Sequence, residues 1–287
     1  MNFLKTLFSP ITGLLGFIQN YFKSLIFLLI LFLIFSKSDA DLRPSNLMEI
    51  HLKGPIFDSA LVLERIEEAE EKNIKGVLFV VDSPGGAVPP SIEIAEAIKR
   101  LKEQKPVIAY AAGTMASGSY YASIYADKII ANRGAMIGSI GVIMQGYNIE
   151  EIMGKVGVKE QIISKGTYKQ MGTMTREWNV DEKAELNRLI GDTYTMFVTD
   201  VAKARGLDEN NSKAFADAHV FSASRAMGVG LVDSLGTLYS AKKEVEAVAK
   251  VTVPVWKSES KVDKLLHRVV GDASSQIFSL FSGLKAY

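Results

Sequence analysis

The order of apolar and polar positions along the chain predicts an α/β domain. An uninterrupted apolar run from Gly76 to Val81 is typical of a strand that is buried on both faces. A second apolar run, from Val107 to Ala111, predicts another strand, and the segment between the two runs has the period of an amphipathic helix. Strands that alternate with helices at this spacing predict a mainly parallel sheet.

The remaining segments extend this pattern in both directions. Further strands are predicted at Leu47–Leu52, Lys128–Ala131, Ile140–Met144, Gln161–Ser164 and Val251–Val255. Helices are predicted at Ser59–Asn73, Pro90–Gln104 and Asp181–Arg205, the last ending at Gly206. The helical side chains expected to face the core are Leu61, Ile66 and Ala69; Ile94, Ile98 and Leu101; and Leu186, Ile190, Tyr194, Phe197 and Val201.

The N-terminal part of the chain carries a separate apolar signal. Leu25–Phe35 holds eleven consecutive apolar residues, which is nearer the core of a signal peptide than a membrane span of about twenty. Leu14–Phe22 is also largely apolar, and Lys23 can extend its ammonium group to the membrane surface. We therefore favour an uncleaved membrane anchor over a removed signal peptide. The predicted organisation is an anchor at 1–38, a linker at 39–46, a main domain at 47–250 and a strand with an amphipathic tail at 251–287.

Composition narrows the chemistry that is available. The net charge is +1, so charge gives no argument for a nucleic-acid partner. The chain has no cysteine, which excludes disulfides, thiolate metal sites and a cysteine nucleophile. Its three histidines, His51, His219 and His267, are too scattered to suggest a metal cluster. Catalysis would therefore rest on hydroxyls, carboxylates or amines.

The candidate nucleophile is Ser117, in the small-residue stretch Gly113–Tyr121 that follows the second buried strand. A strand that turns into a helix through small residues lifts a side chain out of the backbone and leaves N–H groups free around it. The turn Gly85–Gly86 follows the first buried strand, and together with Gly118 it offers N–H donors for a developing oxyanion. A simple packing turn is the alternative interpretation of each stretch.

A serine hydroxyl needs a base to take its proton. No histidine lies in a glycine-rich or strand-end context, so the alternative is a lysine that is held neutral by burial. Lys165 and Lys169 both follow an apolar segment, and residue patterns alone do not choose between them. Either one could equally be an ordinary solvated surface lysine.

Six short motifs follow one another between about Leu47 and Val248. They are Asp82-Ser83-Pro84-Gly85-Gly86, Met115-Ala116-Ser117-Gly118, Gly138-Ser139-Ile140-Gly141-Val142, Gly166-Thr167-Tyr168-Lys169, Thr175-Arg176-Glu177 and Gly230-Leu231-Val232-Asp233-Ser234-Leu235-Gly236. In order and spacing the chain resembles the signal peptide peptidase A (SppA) family of membrane-bound serine proteases, peptidase family S49.

The resemblance implies a Ser/Lys dyad. Ser117 matches the family's nucleophile, Lys169 matches its general base in preference to Lys165, and Ser139 matches a hydroxyl that orients the lysine. The Gly85–Gly86 turn matches the oxyanion donor, with Gly85 preferred of the two and Gly118 completing the hole. No metal and no cofactor is expected.

Three positions depart from the family's usual pattern. Ser164-Lys165-Gly166 stands where the family usually has Lys-Ser-Gly, and Ser119 stands where it commonly has a second glycine after the nucleophile. Ala218-His219 replaces a Gly-Arg pair. None of these changes removes a catalytic group, but the first two are expected to tune the pocket.

The resemblance also implies a fold, a location and a function. The fold is the ClpP/crotonase-like α/β fold of repeated β-β-α units, here in its single-domain form after an N-terminal transmembrane helix. Such proteins are expected to form homo-oligomeric rings, sometimes sharing catalytic residues across subunits. The implied enzyme is anchored by a single pass in the cytoplasmic (inner) membrane, with 47–250 as the protease domain on the extracytoplasmic side. It would cleave hydrophobic peptides, such as released signal peptides. No nucleic-acid partner is expected.

Three alternatives stay open at this point. A related protease of the same family could act on a specific membrane protein. A crotonase-type acyl-CoA enzyme on the same fold would need neither Ser117 nor Lys169. A non-catalytic membrane scaffold would bind a partner through the terminal amphipathic segment. A lysine base predicts a neutral to alkaline pH optimum for the protease.

Overall fold

The computed structural model describes residues 19–28 and 44–257, and the chain divides at Pro44 into two units. In the first unit, residues 19–28 form a helix, α1, whose large apolar side chains are exposed: Tyr21, Phe22, Ile26, Phe27 and Leu28. Within the described ranges, no helix combines the length and the apolar character that a membrane crossing requires. Most of the predicted anchor and the whole tail beyond Lys257 lie outside the described residues, and both stay predictions.

The second unit is built from short elements around one sheet. Its strands are β1 Leu47–Lys53, β2 Gly76–Ser83, β3 Val107–Ala116, β4 Lys128–Ala131, β5 Met136–Gly138, β6 Val220–Ser222, β7 Ser234–Leu235 and β8 Trp256–Lys257. Its helices are α2 Ala60–Ala69, α3 Val88–Lys102, α4 Gly118–Ser123, α5 Glu150–Lys155, α6 Val180–Arg205, α7 Ala223–Gly228 and α8 Leu238–Val248, with a 3-10 helix at Glu209–Ala214.

The strands form one mixed sheet in the order β6-β5-β3-β2-β1-β8. All pairings are parallel except that between β5 and β6, which confirms the predicted α/β class with a mainly parallel sheet. Strand β3 changes partner along its length. Residues Ile108–Ala111 pair with β4, whereas Thr114–Ala116 pair with β5. The end of β3 therefore leaves β4 and runs beside β5 towards Ser117.

Helices cover both faces of this sheet, which explains the unbroken apolar run in β2. Phe79 and Val81 belong to the larger core, shared with α2, α3, α4 and α6. Leu78 and Val80 belong to a smaller core on the other face, under Ala241 and Val245 of α8. Because alternate side chains of a strand point to opposite faces, every one of these positions must be apolar.

The long helices were predicted closely. Helix α6 begins at a capping box, in which the Asn179 side chain accepts the Glu182 N–H and the Glu182 carboxylate accepts the Asn179 N–H. It ends at Gly206, which adopts the left-handed conformation with φ 64°. One core assignment was wrong, because Leu61 at the start of α2 is 64% exposed while Ile66 and Ala69 of the same helix are buried.

Two of the predicted strands, Ile140–Met144 and Gln161–Ser164, are irregular. Ile143 and Ile163 are 83% and 106% exposed, so no other part of the described chain covers them. Strand β5 ends before this region at Gly138, and Ser139 then takes a positive φ of 49° that breaks the extended path. These two segments are apolar, as the sequence shows, but no strand of the described chain pairs with them.

The late strand was predicted at Val251–Val255 and lies just beyond that range, at Trp256–Lys257. Pro254 lacks an N–H and cannot contribute one to a ladder. Asn46 occupies the preceding backbone instead, with its side-chain amide donating to Val253 O and its side-chain oxygen accepting Val255 N–H. Pairing with β1 therefore begins only at Trp256, opposite Leu47.

Candidate active site

Ser117 lies at the junction where β3 ends and helix α4 begins. Its backbone has φ 53° and ψ −126°, a conformation that side-chain-bearing residues rarely adopt. The conformation is fixed from both sides, since Ser117 N–H donates to Gly138 O at 2.7 Å and Ser117 O accepts Tyr121 N–H at 3.0 Å. A serine held in a strained strand-to-helix turn presents its hydroxyl away from the backbone, as an acyl-transfer nucleophile must.

The Gly85–Gly86 turn presses directly against this junction. A Cβ built on Gly85 would lie 2.6 Å from Gly118 N and 2.9 Å from Ser117 Cβ, and Gly85 has φ 89°. A Cβ on Gly86 would lie 2.1 Å from Ile56 O. Both positions therefore accept only glycine, and the structure places this turn beside Ser117 and Gly118.

The two glycines differ in what their N–H groups do. Gly85 N–H donates to the Ser83 hydroxyl at 3.2 Å, within the turn itself. Gly86 and Gly118 both line the cavity onto which Ser117 opens, and the Gly118 Cβ position is 3.3 Å from Gly86 N. Gly118 is the first residue of α4, so the helix offers its N–H no acceptor. The geometry thus favours Gly86 over Gly85 as the partner of Gly118.

The cavity beside Ser117 is small and mostly apolar. Its volume is about 30 Å³, which is room for a water molecule or two. The apolar side of its wall comes from Val88, Ile92, Tyr121, Val142, Met196 and Phe197. The sequence predicted that Phe197 of α6 faces the core, but it did not predict that α6 forms part of this cavity wall. Nothing in the sequence indicates that Phe197 lies near Ser117.

Tyr121 ties the nucleophile helix to α6. Its hydroxyl donates to Asp200 at 2.6 Å, and its ring meets Phe197 edge-on at a centroid distance of 5.1 Å. Burial and, next, the hydrogen bond to Asp200 raise the pKa of Tyr121 above its ordinary value. The phenol therefore stays protonated and keeps donating at any pH at which the protein would act. This contact holds one wall of the cavity in position.

Ser139 lies next to the nucleophile through the backbone. It follows Gly138, the residue whose carbonyl accepts Ser117 N–H, and it has a positive φ of 49°. Its own N–H donates to His219 O at 2.7 Å. The Ala218-His219 pair, noted as a departure, therefore supports the Ser139 backbone rather than supplying a side chain to the site.

The two candidate lysines lie elsewhere on the same chain. Lys165 and Lys169 are exposed and line a separate, more open hollow of about 590 Å³ formed by residues between Ile162 and Thr173. Neither lines the cavity at Ser117, and no hydrogen bond joins Lys169 Nζ to Ser117 or Ser139 in the part of the chain that the structure describes. Within the described residues, the structure thus brings together Ser117, Ser139 and the glycines, but it brings neither candidate lysine to them.

Comparison with known proteins matches this site to one family. The model of peptidase family S49 matches residues 99–252, a segment that contains Ser117, Ser139, Lys165 and Lys169. The candidate protease slr0021 of Synechocystis sp. is 39% identical over 188 residues, which cover 66% of this chain and 68% of that protein. The candidate signal peptide peptidase SppA of Enterococcus faecium is 35% identical over 203 residues, which cover 69% of this chain and 58% of that protein.

A solved structure shares the fold at low sequence identity. A mutant of the 1510-N membrane-bound stomatin-specific protease superposes with a TM-score of 0.52 and 17% identity, covering 76% of this chain and 100% of that one. At this identity the likeness concerns the fold alone.

Proposed function

The chain belongs to peptidase family S49 and is a serine-type peptidase, and from this premise we propose that it is a membrane-anchored endopeptidase that cleaves hydrophobic peptides with a Ser/Lys dyad. The observation that carries the proposal is the strained backbone of Ser117 at the mouth of a cavity that Gly86 and Gly118 also line. We also propose that the domain has the ClpP/crotonase-like fold of repeated β-β-α units.

In the proposed mechanism the Ser117 hydroxyl attacks the carbonyl carbon of the scissile peptide bond. The neutral amine of Lys169 takes the hydroxyl proton as the new C–O bond forms and later delivers it to the departing amine. The carbonyl oxygen becomes an oxyanion, and the N–H groups of Gly86 and Gly118 stabilise it. Water then hydrolyses the acyl-enzyme with the lysine acting again as base. We propose that Ser139 orients the lysine amine. This role is supported by its position directly after Gly138, whose carbonyl accepts the Ser117 N–H.

We propose that the lysine reaches Ser117 from a neighbouring subunit of a ring. The support is the segment that carries Lys169. This segment, residues 143–174, exposes large apolar side chains over most of its length, among them Ile143, Tyr147, Ile152, Val156, Ile162 and Ile163. Exposed apolar surface on this scale is typical of an interaction site. Packing it against a second copy would bury these side chains and bring Lys169 out of water, which favours the neutral amine that catalysis requires.

The small apolar cavity supports a substrate with a small apolar residue beside the scissile bond. Released signal peptides have an apolar core and small residues near their cleavage site, and the name of the Enterococcus relative points the same way. We also propose a single-pass anchor in the cytoplasmic membrane, supported by the apolar run Leu25–Phe35. The resemblance to membrane-bound SppA proteases is the support for placing the protease domain on the extracytoplasmic side. Family membership favours this peptidase over the acyl-CoA enzyme and the scaffold. A specific membrane-protein substrate is the remaining alternative.

Cleavage of a fluorogenic apolar peptide by the detergent-solubilised full chain tests the dyad. Ser117→Ala and Lys169→Ala should each be inactive while remaining folded, whereas the matched control Lys165→Ala should cleave. Co-assembling the two inactive variants in equal amounts gives active sites only where an intact Ser117 meets an intact Lys169 from its neighbour. Half of the serines and half of the neighbouring lysines are intact, so about a quarter of the wild-type rate should return.

Each alternative result identifies the part that fails. No recovered activity in the mixture would contradict a dyad shared between subunits. An active Lys169→Ala protein together with an inactive Lys165→Ala protein would move the base to Lys165. The rate should also rise from neutral to alkaline pH, and a rate that is flat from about pH 6 to 10 would count against a lysine base.

A further inference from the structure

Ser119 makes an unusual set of contacts two residues after the nucleophile. The side chain is completely buried. Its hydroxyl oxygen accepts the Ala116 N–H at 2.9 Å and lies 2.6 Å from Ser83 O and 2.9 Å from Ala116 O. A hydroxyl has a single hydrogen to donate, and the shorter contact assigns it to Ser83 O. Ser119 therefore links the strand that carries the nucleophile to the end of β2.

Ser83 continues this link into the glycine turn. It is also completely buried, and its own hydroxyl accepts the Gly85 N–H at 3.2 Å. One serine thus joins Ala116 to Ser83, and the other joins Ser83 to Gly85. The chain of contacts runs from the residue before Ser117 to the residue before Gly86.

The link lies where the sheet itself is irregular. Strands β2 and β3 pair in register up to Val81 opposite Ala111, and pairing resumes only at Ser83 opposite Met115. One residue of β2 therefore faces three residues of β3 in the gap. Regular ladder bonds are absent in this gap, and side chains connect the two strands there instead. The Asp82 carboxylate accepts the Thr114 N–H at 2.8 Å, and next to Ser117 the Ser119 hydroxyl joins Ala116 to Ser83.

We propose that Ser119 is a positioning residue of this active site, which sets the distance between the Gly86 and Gly118 N–H groups through Ser83. This inference rests on the proposed function, because it matters only if those groups bind an oxyanion. Two donors must both reach about 2.7–3.1 Å from the oxyanion to act together. The available space is narrow, since a Cβ on Gly85 would already lie 2.6 Å from Gly118 N.

Ser119 stands at one of the positions where this chain departs from the pattern of the family that it resembles. The family that the sequence resembles commonly has glycine at this position, and glycine has no hydroxyl to join Ala116 to Ser83. The substitution therefore does more than fill space, because it exchanges a flexible residue for one that fixes the turn.

Steady-state kinetics of Ser119→Ala in the full-length enzyme test the proposal. Ser123→Ala is the matched control, because Ser123 is equally buried on the same helix but its hydroxyl donates only to Ser119 O, within the helix. We expect Ser119→Ala to lower kcat about tenfold with KM within about twofold. A peptide aldehyde, which forms an oxyanion on Ser117, should bind about tenfold more weakly. Ser123→Ala should keep the wild-type kcat and aldehyde affinity.

Two further variants keep the result interpretable. Ser83→Ala breaks the other half of the link and should reproduce the kcat loss, whether or not Ser119→Ala folds. Ser119→Thr retains a hydroxyl and should restore most of kcat. If Ser119→Ala and Ser83→Ala lower the melting temperature but leave kcat and aldehyde affinity unchanged, Ser119 is merely structural and the proposal is wrong. If Ser117→Ala retains activity, the proposed function fails instead.

Discussion

Replacing Gly118 by alanine probes the space between the proposed oxyanion donors. The new Cβ would lie 2.3 Å from Ser91 Oγ, 3.1 Å from Ser91 Cβ and 3.3 Å from Gly86 N. Ser91 is only 2% exposed and its hydroxyl donates to Ala87 O at 2.8 Å, so it has little room to move away. We expect Gly118→Ala to lower the free energy of unfolding by about 1–3 kcal/mol, as overpacking of a buried site does.

Ser91→Ala should relieve most of this conflict. Alone, it removes one hydrogen bond and should cost about 1 kcal/mol. Combined with Gly118→Ala, it removes the 2.3 Å contact and leaves only contacts that a shift of a few tenths of an ångström relieves. The double variant should therefore be more stable than the sum of the single effects by about 1 kcal/mol or more. Urea unfolding of all four proteins, followed by tryptophan fluorescence, measures this coupling.

Activity should not recover with stability. In the double variant the alanine methyl still lies beside Gly86 N, and we expect it to occupy space that the oxyanion needs. We expect kcat to fall about 10²-fold in both Gly118→Ala proteins, comparable with the loss of one donor. Gly191→Ala, in helix α6 with open space around its Cβ position, is the control and should retain activity. Additive unfolding energies, or a wild-type kcat in the double variant, would refute the reasoning.

Three other variants test separate features. The hydrogen bond from Arg176 and, next, that from the Asn179 backbone lower the pKa of Glu182 from 4.5 to about 2. The carboxylate therefore stabilises the fold above pH 4.5, and this stabilisation is lost as the pH falls towards 2. Glu182→Gln should flatten the dependence of the urea midpoint on pH in that range, and an unchanged slope would contradict the assignment. Ala218 has a positive φ of 56°, so Ala218→Gly should relieve about 1–2 kcal/mol of backbone strain. The added entropy of the unfolded chain should offset about 0.5–1 kcal/mol of this gain. We therefore expect a higher melting temperature, and a lower one would contradict the reasoning. Met196→Ala opens the cavity wall and should raise kcat/KM for a phenylalanine peptide relative to an alanine peptide about tenfold, and an unchanged ratio would place the substrate side chain elsewhere.

The sequence was sufficient to predict those strands and helices whose apolar side chains pack against other parts of the same chain. The runs in β2 and β3 are covered by helices of the same unit, and their pattern was sufficient to identify them. The apolar segments Ile140–Met144 and Gln161–Ser164 were predicted as strands for the same reason, yet they are irregular. An apolar pattern indicates that a segment has something to bury, but it does not say against which chain.

The same limit applies to the site. Ser117 and the glycine turn could be predicted because strand ends and small residues mark them in the sequence. The choice of Gly86 over Gly85 depends on which N–H is already used by Ser83, and that is a matter of three-dimensional contact. The cavity wall from α6 and the link through Ser119 join residues far apart in the chain, about which neither spacing nor composition gives information.

The most direct test of the central claim is the initial rate of cleavage of an apolar fluorogenic peptide by Ser117→Ala against wild type, with both shown to be folded. Because the hydroxyl of Ser117 is the attacking group in this account, its loss should lower the rate by about 10³-fold or more. A Ser117→Ala protein that cleaves at the wild-type rate would show that the nucleophile lies elsewhere.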